Sequence, residues 1–151
     1  MSAMRSCFLS QEHASRFAGA CCRLAFDALG NEEVLLLYGL TAFSGLWQQV
    51  EAQGLFQGRR LRWRAVEEVL RLPGQSAWQN VLLYWLLVLG GYEGYKRVSP
   101  LDLRFLDEDQ FHVVRVALLL MRYGWRAVFD RDPFLKAGSS KRGSSFRRGV
   151  L

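Results

Sequence analysis

The run Asn31-Glu-Glu-Val-Leu-Leu-Leu-Tyr-Gly-Leu-Thr-Ala-Phe-Ser-Gly-Leu-Trp-Gln-Gln-Val50 decides how this chain must fold. Asn31 can cap a helix, and Glu32 and Glu33 suit the positive end of its dipole. From Val34 to Val50 the residues are apolar on nearly every side of a helix and none is charged. A helix with no face for water belongs in the middle of a bundle. Gly39, Ala42 and Gly45 form a stripe of small residues within it, which predicts the close approach of another helix. That contact must offset the ~1 kcal/mol by which each interior glycine is worse than alanine.

The segments around this run supply the covering helices. Ser10 to about Leu29 places Phe17, Cys21, Leu24, Ala25 and Leu29 at three- and four-residue spacings, with Gly30 as its stop. Arg62–Leu72 reads as a short helix ended by Pro73-Gly74, and Ser76 caps the next, Ala77–Leu89, which Gly90-Gly91 terminates. Leu101–Phe105 alternates like a strand but has no partner strand, so it is expected as extended loop. Asp107 caps a helix over Glu108–Tyr123, and a final short one is expected over Trp125–Asp130. Five to six helices with short connections and no strand series predict an all-α, single-domain bundle over residues 1–135.

The remaining residues, 136–151, are rich in Gly, Ser and cations and have too little apolar matter to offset their conformational entropy, so they read as a tail disordered unless bound. The chain has 151 residues, enough for one core, and is 50% hydrophobic and 23% charged, which excludes a largely disordered, collagen-like or disulfide-scaffold protein. Three cysteines without CxxC spacing and no visible export signal point to a reducing, cytoplasmic setting. A membrane span is not expected. The truly apolar part of the uncharged stretch 72–92 is only Val81–Leu89, whereas a span needs roughly 20 apolar residues.

Little in the chain suggests catalysis. His13 with Cys21 and Cys22 matches no zinc spacing, and no histidine lies placed to activate a cysteine. Asp107, Glu108 and Asp109 are accounted for by the helix dipole, and Asp130 and Asp132, ahead of Pro133, by a turn. The glycines around Gly90-Gly91 neither follow a strand nor open a helix, as a phosphate-binding loop requires. Neither an enzyme nor a cofactor is expected.

The charge map is more informative. Formal net charge is +6, yet residues 1–54 are slightly acidic and 73–135 balance. Positive charge concentrates in Arg59-Arg60-Leu61-Arg62-Trp63-Arg64 and in the tail, which carries Lys136, Lys141, Arg142, Arg147 and Arg148 with no acid. Guanidinium groups bind phosphate bidentately, and an interleaved tryptophan such as Trp63 can stack on an exposed base. The competing reading is a solvated helix start with Leu61 and Trp63 facing the core. His112, Arg115, Arg122 and Arg126 fall on one side of the Glu108–Tyr123 helix and its extension, as a cationic stripe or as an ordinary wet face. The tail residues Lys141, Arg142, Arg147 and Arg148 form a third patch, of the kind that orders on a polyanion.

No residue motif identifies a family. In architecture alone, a small basic helical bundle with arginines on its helix faces resembles the small helical subunits of CRISPR effector ribonucleoproteins. That resemblance implies a non-catalytic subunit lining a nucleic-acid path. The expectation is therefore a non-enzymatic subunit touching an RNA or single-stranded DNA backbone through these three patches, within a larger assembly. The alternative is a helical protein–protein adaptor or inhibitor docking through apolar helix faces; a small membrane-associated protein is a third reading.

Overall fold

Seven consecutive residues, Val34 to Leu40, are all buried. They belong to helix α2 (Asn31–Leu40), which contacts helices on several sides and forms the centre of an all-α fold. The computed structural model describes residues 6–92 and 98–135; the tail expected over 136–151 lies outside the described residues. Around α2 stand α1 (Gln11–Cys22), α3 (Ser44–Ala52), α5 (Ala77–Leu89), α6 (Glu108–Tyr123) and the short α7 (Trp125–Phe129). A short helix α4 (Arg64–Leu70) packs on α3 and α5, and two 3-10 turns occupy Phe26–Ala28 and Pro100–Phe105. The helical elements exceed the five to six expected, and three differences explain the excess.

The long apolar helix expected over Val34–Val50 is broken at Thr41–Phe43. Phe43 is extended (φ −123°, ψ 120°) and starts α3, while the Thr41 hydroxyl donates to the Leu37 carbonyl at 2.6 Å. The carbonyls of Thr41 and Ala42, freed by the break, accept from the Arg16 guanidinium of α1 at 2.9 and 3.4 Å. A side chain from another helix thus caps α2, which no local pattern announces.

Helix α1 stops at Cys22, short of the expected Leu29. There the Ala25 amide leaves the helical pattern and donates to the Arg59 carbonyl at 2.8 Å. Arg23 lies over the Phe56 ring, 3.8 Å from its centroid, and pairs with Glu51. Phe56 and Arg59 belong to a two-stranded hairpin, β1 (Phe56–Gln57) and β2 (Arg60–Leu61), which pairs Phe56 with Leu61 and Gln57 with Arg60. The third difference is Leu101–Phe105, expected as extended loop, which lies in a 3-10 turn over Pro100–Phe105 capped by the Ser99 hydroxyl and packed on α5.

The cap expected at Asp107 holds: Asp107 and Gln110 exchange reciprocal bonds of 2.8 and 2.9 Å at the start of α6. The cap expected at Asn31 does not: Gly30 takes the N-cap position of α2, and the Asn31 side chain accepts from the Trp125 amide of α7 at 3.3 Å instead. At the start of α1, Ser10 accepts from the His13 amide at 3.1 Å. The small-residue stripe holds at one position: a methyl group at Gly39 would meet the Leu86 side chain of α5, whereas Gly45 faces open space. No described helix is long and apolar enough to cross a membrane.

A second polar system closes the bundle at the N-terminal segment. The buried Asp132 carboxylate accepts from the Ser6 hydroxyl (2.8 Å), the Cys7 amide (2.8 Å) and the Phe134 amide (3.1 Å). Phe8, thereby held in place, packs its ring against His13, Phe17, Tyr38 and Phe129 at centroid distances of 4.9–5.5 Å. Asp132 is a structural acceptor, and the exposed Asp130 does not share its environment.

Candidate binding surface

The Arg59–Arg64 cluster is the second strand of the hairpin and the turn into α4, and the fold divides its cations. Arg59 follows Gly58, whose φ of 63° makes the hairpin turn, and is exposed. Arg60 pairs with Asp27 at 2.9 Å in a surface contact. Arg62 is far more engaged: it forks onto Glu68 at 2.7 and 3.0 Å and donates to the carbonyls of Gln53 (2.6 Å) and Gly54 (3.0 Å). These bonds tie the end of α3 to α4, and the Arg62 hydrogen bonds hold the Glu68 carboxyl below its usual range. Trp63 stacks on Tyr92, centroids 5.2 Å apart, and Arg64 lies exposed beside its ring. Two of the four arginines are thus bound to carboxylates, and one face of the tryptophan is already occupied.

The second set fares differently. His112 turns inward: its Nε2–H donates to the Cys7 carbonyl at 3.2 Å, while Nδ1 accepts from Arg115 Nη2 at 2.8 Å. The bond pre-orients the Arg115 guanidinium. Arg115 and Arg122 are exposed on α6, Arg122 lying against Tyr123, and the exposed Arg126 on α7 lies against Trp125. The third patch, Lys141, Arg142, Arg147 and Arg148, lies outside the described residues.

The cations on α6 are not alone. One face of the helix is buried through Val113, Val114, Val116, Ala117 and Leu120, and the other exposes Phe111 at 43%, Leu118 at 38% and Leu119 at 42%. Phe111, Arg115, Leu118 and Arg122 follow one another at four, three and four residues, a straight line about 16 Å long up the helix. Met121 and Tyr123 extend the exposed apolar surface at one end. Residue patterning anticipated the cations and missed these apolar neighbours. A signal was present in Val116-Ala-Leu-Leu-Leu-Met121, six consecutive apolar residues that no single helix face can bury.

Among the described residues, no group of three His, Cys, Asp or Glu side chains could hold a metal ion. Cys7 is pushed up to about 11 by burial, with the Asp132 charge adding to the shift, and burial pushes Cys21 up further still. Neither is prepared as a nucleophile. Comparison with known proteins returned no family model, no curated protein and no solved structure that matches the chain.

Proposed function

We propose that the protein is a helical adaptor subunit that docks another protein on the outward face of α6. The observation that carries this reading is the exposed line Phe111, Arg115, Leu118 and Arg122, with Leu119 beside it. Aromatic and arginine side chains are enriched at protein interfaces and carry much of their binding energy. The engagement of Arg62 with Glu68 and with the Gln53 and Gly54 carbonyls supports the same choice, because it withdraws one guanidinium from the strongest of the sequence's phosphate-binding candidates. Unpaired thiols at Cys7, Cys21 and Cys22 fit a reducing compartment such as the cytoplasm.

The test places a photo-crosslinking amino acid at Leu118 of the full chain in its native cells. Covalent capture of a protein supports the reading; capture of nucleic acid alone, or of nothing, overturns it. A second reading, a subunit contacting an RNA or single-stranded DNA backbone, draws on exposed Arg59, Arg64, Arg115, Arg122 and Arg126. It requires tight binding of single-stranded oligonucleotides with a log–log salt slope of about −3.5 for five phosphate contacts.

A further inference from the structure

We infer that the occupant of the α6 face is an acidic amphipathic α-helix, laid along the line from Phe111 to Arg122. This rests on the protein-docking reading above and adds the chemistry of the partner. From Phe111 to Tyr123 the helix carries no acidic residue, and Arg115 and Arg122 stand one heptad apart on the exposed line. A helical partner with acids seven residues apart can meet both guanidiniums, while its apolar residues between them cover Phe111, Leu118 and Leu119. Arg115 is already oriented by His112, so less rotamer freedom is lost when it pairs.

Charge also decides against the nearer occupants. A second copy docked face to face would set Arg115 and Arg122 against the same two cations, and like charges across an interface are costly. Residues 136–151 carry cations and no acid, so their composition offers no charge complement to the two arginines. A nucleic-acid backbone would meet the two arginines, yet it would leave Phe111, Leu118 and Leu119 facing phosphates, where burying apolar surface contributes little.

The experiment measures fluorescence anisotropy of the full chain with a designed 18-residue helical peptide carrying leucines on one face and glutamates seven residues apart. Its counterpart has lysine at every glutamate. The wild-type chain binds the acidic peptide in preference to the basic one, and the Arg115→Glu/Arg122→Glu variant loses about tenfold in affinity for it while gaining affinity for the basic peptide. Arg122→Glu alone, which leaves the His112–Arg115 bond in place, shows a smaller loss in the same direction. Equal binding of both peptides, or an acidic-peptide affinity unchanged in both variants, overturns the inference. So does tighter binding of phosphatidylserine vesicles or single-stranded RNA than of the acidic peptide. A protein crosslinked at Leu118 that presents no acidic helix sinks this inference and leaves the adaptor reading standing; the absence of any crosslinked protein sinks both.

Discussion

His13 and Tyr38 are joined by a buried hydrogen bond, His13 Nε2–H to the Tyr38 carbonyl at 2.8 Å, and this bond fixes the state of the ring. The other nitrogen, Nδ1, accepts from the Leu9 amide at 3.1 Å, so neither position can take a further proton without losing a partner. Burial is the largest cause holding the imidazole down at about 4, and the nearby Arg16 and His112 act in the same direction. In the unfolded chain the ring titrates near 6.5. Between those values the unfolded state binds a proton that the native state refuses, so stability is full above about pH 6.5 and falls as pH drops towards 4. The loss from this group is on the order of 3 kcal/mol. Urea denaturation at pH 7, 5.5 and 4.5 reads it, and His13→Gln flattens the slope. An unchanged slope in that variant shows that another group is responsible.

Gly39 and Gly45 belong to the same stripe and separate on substitution. Gly39→Ala forces its methyl group into Leu86 and lowers stability by about 1–3 kcal/mol, less the ~1 kcal/mol gained in helix propensity. Gly45→Ala meets nothing and raises stability by up to about 1 kcal/mol. Thermal denaturation of the two variants yields shifts of opposite sign; a rise for Gly39→Ala means that the α2–α5 approach is looser than described.

Asp132→Ala leaves the Ser6 hydroxyl and the Cys7 and Phe134 amides without their acceptor. A cost of about 3 kcal/mol is expected, since hydrogen bonds to a charged group are the stronger kind and unmet donors pay desolvation. Hydrogen exchange localises the effect: amides of residues 6–9 lose protection before those of α2. Uniform loss across the fold places the role of Asp132 elsewhere.

Arg60 and Arg62 stand two residues apart and differ in what they hold. Arg62→Gln removes the fork onto Glu68 and the bonds to Gln53 and Gly54, so it lowers the melting temperature. Arg60→Gln removes a solvent-exposed pair with Asp27 and leaves the melting temperature unchanged, because such pairs are screened and contribute little. Equal effects from the two substitutions contradict this division.

How far the residues foretold the structure depends on whether the deciding partner was local. The cap at Asp107 and the stop after Leu89 depend on residues within one turn, and both stand where patterning put them. The break at Thr41–Phe43 depends on Arg16, 25 residues away, and the early end of α1 on the Arg59 carbonyl. The candidate surface divides in the same way. The helical line of Arg115 and Arg122 follows from spacing, whereas the engagement of Arg60 and Arg62 and the exposure of Phe111 do not.

By itself, the amino-acid order determined that this chain is helical, that its centre is the uncharged run beginning at Val34, and where most helices begin. Composition and short-range hydrogen bonding act within a few residues, so they can be read along the chain. Only the tertiary structure decided which arginines are bound to carboxylates and which apolar side chains of α6 stay outside. Its apolar residues cover more than one side, and the side turned inward is set by the helices already packed there.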